Sequence, residues 1–150
     1  KKEQVLTDAL KKLSEEVSSG KKNVDILMST APSRTKVFTV KDTPESFFLL
    51  KQLQHNINRL YGVRQANRFE ILCQLKSLLS DDFPKVLVRT DISAFYESIP
   101  TKRLLAHIDN EPLLSVSSKR VVHRIIRQYL TLSGSKTGIP RGIGISAYLA

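Results

Sequence analysis

The chain has 150 residues, 41% hydrophobic and 25% charged, an ordinary composition for one globular domain. No apolar run approaches the roughly 18 residues of a membrane span, no signal-peptide pattern is present, and a single cysteine excludes an intramolecular disulfide or a cysteine-rich zinc site. The net charge of +10 favours a polyanionic partner, although a merely soluble basic surface or an anionic membrane face explains it too. We expect a cytoplasmic protein that is not inserted in a membrane.

The N-terminal part of the sequence predicts one helix and one strand. Residues 2–19 place their apolar side chains on one side of a helix, and Gly20 is a stop signal. Residues 21–33 are ambiguous. The segment 34–41 is rich in Val, Phe and Thr, which predicts a strand.

Two further helices are predicted before the middle of the chain. The first covers 43–62, with Thr43 as cap, Pro44 at the first position and Gly62 at the end. The second covers 66–80 and is expected to bury Cys73 as a small hydrophobic residue. The predicted buried stripes are Phe47, Leu50, Leu53, Ile57 and Leu60 in the first helix, and Phe69, Leu72, Leu75 and Leu79 in the second.

The second half of the chain predicts a strand followed by helices. Residues 85–92 form the strand, and a helix at 101–108 follows Pro100. The next helix begins near Ser117 or Ser118, a loop rich in Gly, Ser, Thr and Pro covers 131–142, and another buried helix begins near Ile143. The apolar face of the helix after Ser117 comprises Val121, Val122, Ile125, Ile126 and Tyr129. Helices first, then strands with helices around them, indicate an α+β fold whose sheet is incomplete.

The segment 86–100 is the first that carries chemistry. An apolar strand delivers Asp91 at its end, and the aromatic residues Phe95 and Tyr96 follow. A rigid carboxylate beside a backbone carbonyl suits Mg²⁺, the ion that phosphoryl transfer requires. Asp91 fits a turn or cap residue as well, the aromatic pair fits core packing, and Glu97 fits a solvated or salt-bridged helix start better than a metal ligand.

The segment 138–146 is the second segment that carries chemistry. Its glycines at 138, 142 and 144 permit close backbone approach to a ligand, and Pro140 stiffens the loop. The alternative is an ordinary glycine-rich connection between two elements.

Together the two segments resemble the first and second catalytic motifs of reverse transcriptases, in the same order and about 47 residues apart. Their exact residues resemble the bacterial branch that includes abortive-infection and defence-associated enzymes, with retron and group II intron enzymes as wider relatives. The resemblance covers residues 34–150 and implies fingers at 34–84 and a partial palm at 85–150, after an N-terminal helical extension at 1–33. One departure is Arg141, where the family more commonly has Gln, which puts strict template use in doubt.

The resemblance assigns a role to each matching position of the catalytic centre. Asp91 would bind the catalytic Mg²⁺ or Mn²⁺, assisted by the Ile92 carbonyl. Tyr96 would discriminate between sugars, with Phe95 packed behind it. The pair formed by template and incoming deoxynucleotide would lie against the loop of Gly138, Pro140, Arg141 and Gly142.

The resemblance also gives roles to basic residues. Arg34, Lys36 and Arg68 would contact the triphosphate, although solvated surface charge explains each of them equally. Apart from the resemblance, the helical spacing alone gives a basic stripe that would follow a nucleic-acid backbone or equally form a plain solvated face opposite the core. The stripe is Arg120, Arg124 and Arg127.

The expected activity is addition of deoxynucleotides to a 3′ end by two-metal phosphoryl transfer, in phage defence. Reverse transcriptases carry an Asp-Asp turn after the second motif, whereas the only Asp-Asp pair here, Asp81 and Asp82, precedes the first. We therefore expect these 150 residues to be inactive alone. Two other functions remain open: a non-catalytic nucleic-acid-binding module, and a protein-interaction scaffold that uses the helix at 2–19.

Overall fold

A computed structural model describes residues 2–19, 24–30, 36–63, 67–80 and 83–150. Over these ranges the chain mixes helices with one antiparallel sheet, which confirms an α+β composition without identifying a fold family. The elements are α1 (Lys2–Ser18), β1 (Ile26–Thr30), β2 (Lys36–Val40), α2 (Pro44–Tyr61), α3 (Arg68–Leu79), α4 (Phe95–Ser98), α5 (Thr101–Asn110), α6 (Val116–Ser133) and α7 (Ser146–Leu149). None of the helices in these ranges combines the length and the hydropathy needed to cross a bilayer.

The sheet pairs β1 with β2 in antiparallel register. Ile26 lies opposite Val40, and Thr30 lies opposite Lys36. The predicted strand at 34–41 is confirmed over 36–40, while its partner comes from the segment that the sequence left ambiguous. That partner ends in Ser29 and Thr30, residue types that also signal a loop, so composition alone did not identify it.

Helix α6 forms the centre of the core. The Ser115 hydroxyl caps its first turn by accepting the Ser118 N–H at 3.2 Å, and Gly134 ends it in the left-handed region. The predicted apolar face is confirmed, because Val122, Ile125, Ile126 and Tyr129 are buried and Val121 is partly buried against them. The helix continues three residues into the predicted loop at 131–142. Its Gln128 side chain accepts the Ile26 N–H at 3.0 Å, which ties the helix to β1.

Helix α2 has the predicted boundaries. Thr43 accepts the Ser46 N–H at 3.3 Å, and Gly62 closes the helix with a positive φ. Leu53 and Ile57 of the predicted stripe are buried, but Phe47 is exposed, so the predicted burial of Phe47 is wrong. The buried face of α2 is therefore narrower than its apolar face.

Helix α3 lies where it was predicted, but its burial was predicted wrongly. It buries no side chain: Phe69 is 71% exposed, Leu72, Leu75 and Leu79 are exposed, and so is Cys73. Periodicity establishes that a helix has an apolar face, but burial also requires another element to cover that face.

The predicted strand at 85–92 is absent. Residues 84–92 are irregular, and Val86 is 93% exposed. A strand exists only when a neighbour completes its hydrogen bonds, and the two strands among the described residues pair with each other. Asp91 therefore does not stand at the end of a sheet strand.

Candidate functional site: the contact between two motif segments

The short helix α4 begins at a residue with unusual backbone geometry. Ala94 has φ 51° and ψ 40°, a left-handed conformation that costs a non-glycine residue about 1–2 kcal/mol. Both the backbone N–H and the hydroxyl of Ser98 donate to the Ala94 carbonyl, at 2.9 and 2.7 Å. The short helix that carries the aromatic pair is therefore closed onto the Ala94 carbonyl by local hydrogen bonds.

The loop at 138–140 lies directly against this helix. The Gly138 N–H donates to the Ile99 carbonyl at 2.9 Å, and the Ile139 N–H donates to the Tyr96 carbonyl at 2.9 Å. The Gly138 carbonyl in turn accepts the Thr101 hydroxyl at 2.8 Å, in a buried position. The first two bonds join the two motif segments through their backbones, and the third ties the Gly138 carbonyl to the first residue of α5.

Gly138 is required by that contact. Its φ is 96°, and a Cβ added there would lie 2.8 Å from the Glu97 Cα and 2.9 Å from the Tyr129 hydroxyl. We predicted that the glycine permits approach to a ligand. Here it permits approach to the backbone of the other motif segment.

Gly142 plays the same part toward the sheet. Its φ is 101°, and a Cβ there would lie 2.7 Å from both the Phe38 carbonyl and a methyl of Val37. Next to it, the Arg141 carbonyl accepts the Phe38 N–H at 2.8 Å. The Ser146 hydroxyl donates to the Pro140 carbonyl at 2.5 Å, so α7 fixes the loop from its other side.

One ion pair crosses the contact. Arg141 Nη2 lies 3.2 Å from Glu97 Oε2, and each side chain is 38% exposed. Arg141 Nε is buried without a hydrogen-bond partner among the described residues. Burial, assisted by the Glu97 charge, raises the pKa of the nearby Tyr129, while Ser133 and Arg141 oppose the shift. The salt-bridged interpretation of Glu97 is the one observed.

The aromatic pair does not have the predicted order of burial. Phe95 and Tyr96 meet edge to face with ring centroids 5.2 Å apart. Tyr96 is half-buried against the core, whereas Phe95 is 39% exposed. The more accessible ring is therefore Phe95, because the Tyr96 side chain packs against the core.

Asp91 and Ile92 are exposed in the irregular segment. Among the described residues, no group of three or more His, Cys, Asp or Glu side chains could hold a metal ion. Asp91 and the Ile92 carbonyl are oxygen donors of the kind Mg²⁺ prefers, but they do not make a complete site.

Two of the basic residues predicted to contact a triphosphate, Lys36 and Arg68, share no bond among the described residues. Lys36 begins β2, and its ammonium donates to the Ser133 carbonyl at 3.4 Å. Arg68 begins the exposed α3. Arg34 lies outside the described residues.

Three further features of the contact were not predicted. They are the Thr101 hydroxyl on the Gly138 carbonyl, the choice of Arg141 as the partner of Glu97, and the position of the Tyr129 hydroxyl beside Gly138. Tyr129 was predicted as core, and it is buried. The sequence gives only an indirect signal for the contact between the Tyr129 hydroxyl and Gly138. A buried tyrosine needs space for its hydroxyl, and a glycine leaves that space.

Comparisons of the chain with protein-family models, with curated proteins and with solved structures found no match. A functional interpretation therefore depends on the residues of the two segments and on the contacts between them.

Proposed function

We propose that this chain supplies the fingers and the first two palm motifs of an RNA-directed DNA polymerase. The activity is the addition of deoxynucleotides to a 3′ end, with an RNA or DNA template-primer as partner and phage defence as the setting. The observation that carries the proposal is the backbone contact between Tyr96–Ile99 and Gly138–Ile139. In such an enzyme the segment that holds metal and sugar and the segment that supports the template act on one nucleotide, so they must be neighbours.

The proposed roles follow the resemblance, modified by the observed packing. Asp91 and the Ile92 carbonyl contribute oxygen ligands to Mg²⁺ or Mn²⁺, which would stabilise the charge of a triphosphate when bound. Phe95 presents the more accessible ring of the aromatic pair to the sugar, and Tyr96 packs against the core beside it.

Arg141 replaces the commoner Gln on the template side. The Glu97 carboxylate holds one end of its guanidinium, and the side chain stays partly exposed. A guanidinium has five donors in a fixed plane, which suits contact with a base edge or phosphate. We propose that the pair sets the orientation of Arg141 toward the template.

Primer extension by the full-length gene product tests this function. We expect incorporation of deoxynucleotides onto a primer 3′ end in Mg²⁺ or Mn²⁺, and loss of incorporation with a chelator. Extension that continues in the chelator would contradict the metal-dependent mechanism.

A second candidate function is a non-catalytic nucleic-acid-binding module, favoured by the net charge of +10. It predicts salt-sensitive binding of RNA or DNA that is unchanged by Asp91→Asn. Intact binding together with no incorporation under any of the conditions above would replace the first function by the second.

A further inference from the structure

The outward face of α6 carries three arginines in a row. Arg120, Arg124 and Arg127 are all exposed, and together they occupy an arc of about 60° over about 10 Å of helix. Among the described residues, none of the three guanidinium groups has a hydrogen-bond or ion-pair partner. We call these residues the arginine stripe.

The stripe does not help α6 to form. The helix contains no acidic residue, so Arg120 and Arg124, four positions apart, repel each other by about 0.2–0.5 kcal/mol. An acidic first turn and a basic last turn would stabilise a helix, and α6 has neither. A solvated helix face normally alternates charges of opposite sign, so the stability of α6 does not explain why three arginines share this face.

The stripe lies on the far side of α6 from the backbone contact between 96–99 and 138–139, which we call the motif contact. Tyr129 is on the buried face, with its hydroxyl beside Gly138, while the stripe points to solvent about half a turn away. With its side chains an α-helix is about 10–12 Å across. A strand lying on the motif contact is therefore separated from the stripe by the body of α6.

We infer that the arginine stripe is a second surface that binds the phosphate backbone of a nucleic-acid strand, separate from the motif contact. A strand carries one charge per about 3.4 Å, so 10 Å of helix matches about three phosphates. The chain has 14 Lys and 10 Arg, yet the stripe is entirely Arg, which binds phosphate in a bidentate manner. This inference requires no catalysis and does not depend on the proposed polymerase activity.

The test is the affinity of the protein for a short labelled single-stranded RNA, measured by fluorescence anisotropy over a range of salt. We compare R120Q/R124Q/R127Q with the control K11Q/K12Q/K51Q, which removes three exposed charges elsewhere and gives the same net charge, 10 − 3 = +7. The stripe variant should bind roughly 10- to 100-fold more weakly. Its slope of log affinity against log salt should fall by about 2. The control should change neither quantity by more than a small fraction of this.

A third variant, R120K/R124K/R127K, keeps the charge and removes the bidentate geometry. It should keep the salt slope and lose part of the affinity. Far-UV circular dichroism should show unchanged helix content in all variants, since Gln relieves the repulsion along the stripe and Lys leaves it as it is with Arg.

Equal losses of RNA affinity in R120Q/R124Q/R127Q and in the control K11Q/K12Q/K51Q would overturn the inference, because net charge alone would then explain the binding. Poly-glutamate or phosphatidylserine vesicles that compete as strongly as RNA would also overturn it, in favour of an acidic protein or a membrane surface. Loss of synthesis in Asp91→Asn with unchanged RNA affinity separates this surface from the proposed catalytic function.

Discussion

Replacing Gly138 by alanine tests the contact between the two motif segments. A non-glycine residue at φ 96° costs about 1–2 kcal/mol, and the added Cβ would lie 2.8 Å from the Glu97 Cα and carbonyl oxygen. Those atoms are backbone and cannot rotate away, so overpacking adds about 1–3 kcal/mol. The expected loss in the free energy of unfolding is therefore about 2–5 kcal/mol, a large share of a domain's ~5–15 kcal/mol.

Gly134→Ala is the matched control. Gly134 also has a positive φ, 68°, but a Cβ there meets nothing within 4 Å. Only the backbone term of about 1–2 kcal/mol applies. Guanidinium chloride unfolding followed by far-UV circular dichroism should rank Gly138→Ala below Gly134→Ala in stability by at least about 1 kcal/mol. Equal losses in the two variants would refute the close approach of the loop to α4.

Three other outcomes follow from the structure. A double-mutant cycle on Glu97→Gln and Arg141→Gln should give a coupling of about 0.5–1 kcal/mol, as expected for a partly exposed pair, and zero coupling would deny the ion pair. Burial, together with the hydrogen bond to the Glu111 carboxylate, raises the pKa of Tyr61 from 10.0 to about 12. In the unfolded chain the Tyr61 hydroxyl loses its proton at a lower pH than in the folded chain, so the free energy of unfolding falls as pH rises from 10 toward 12. Tyr61→Phe should make that fall smaller. If the free energy of unfolding depends on pH in the same way in Tyr61→Phe and in the natural chain, the raised pKa of Tyr61 is contradicted. Ile125→Ala should cost about 2–5 kcal/mol and Leu72→Ala under about 0.5 kcal/mol in the same denaturant assay, and similar costs would show that α3 is covered after all.

Features that depend on neighbouring residues could be predicted from the sequence. Helix α2 begins at Thr43 and ends at Gly62 as expected, because a capping hydroxyl and a left-handed glycine act within one turn. The buried face of α6 was also predicted, because five apolar residues at helical spacing leave one way to face the core.

Features that depend on a partner elsewhere in the chain could not. The segment 85–92 has the composition of a strand, but no described strand pairs with it. Helix α3 has an apolar face that no element of the described residues covers. In both cases composition gives a local preference, and a tertiary partner decides whether it is realised.

The candidate site divides in the same way. The segments around Asp91 and Gly138 were singled out from the sequence, and the glycines predicted a close approach of the backbone. The surface that Gly138 approaches and the partner of Glu97 follow only from how α4 and the loop pack. The greater burial of Tyr96 relative to Phe95 has the same origin.

We propose that Asp91 takes part in deoxynucleotide transfer. Mg²⁺-dependent primer extension by the full-length gene product tests this role when Asp91→Asn is compared with Asp8→Asn, which alters an exposed carboxylate on α1. We predict a loss of at least about 100-fold for Asp91→Asn, since the variant removes a metal-binding charge, and no loss for Asp8→Asn. Wild-type rates of extension in Asp91→Asn would contradict the proposed function.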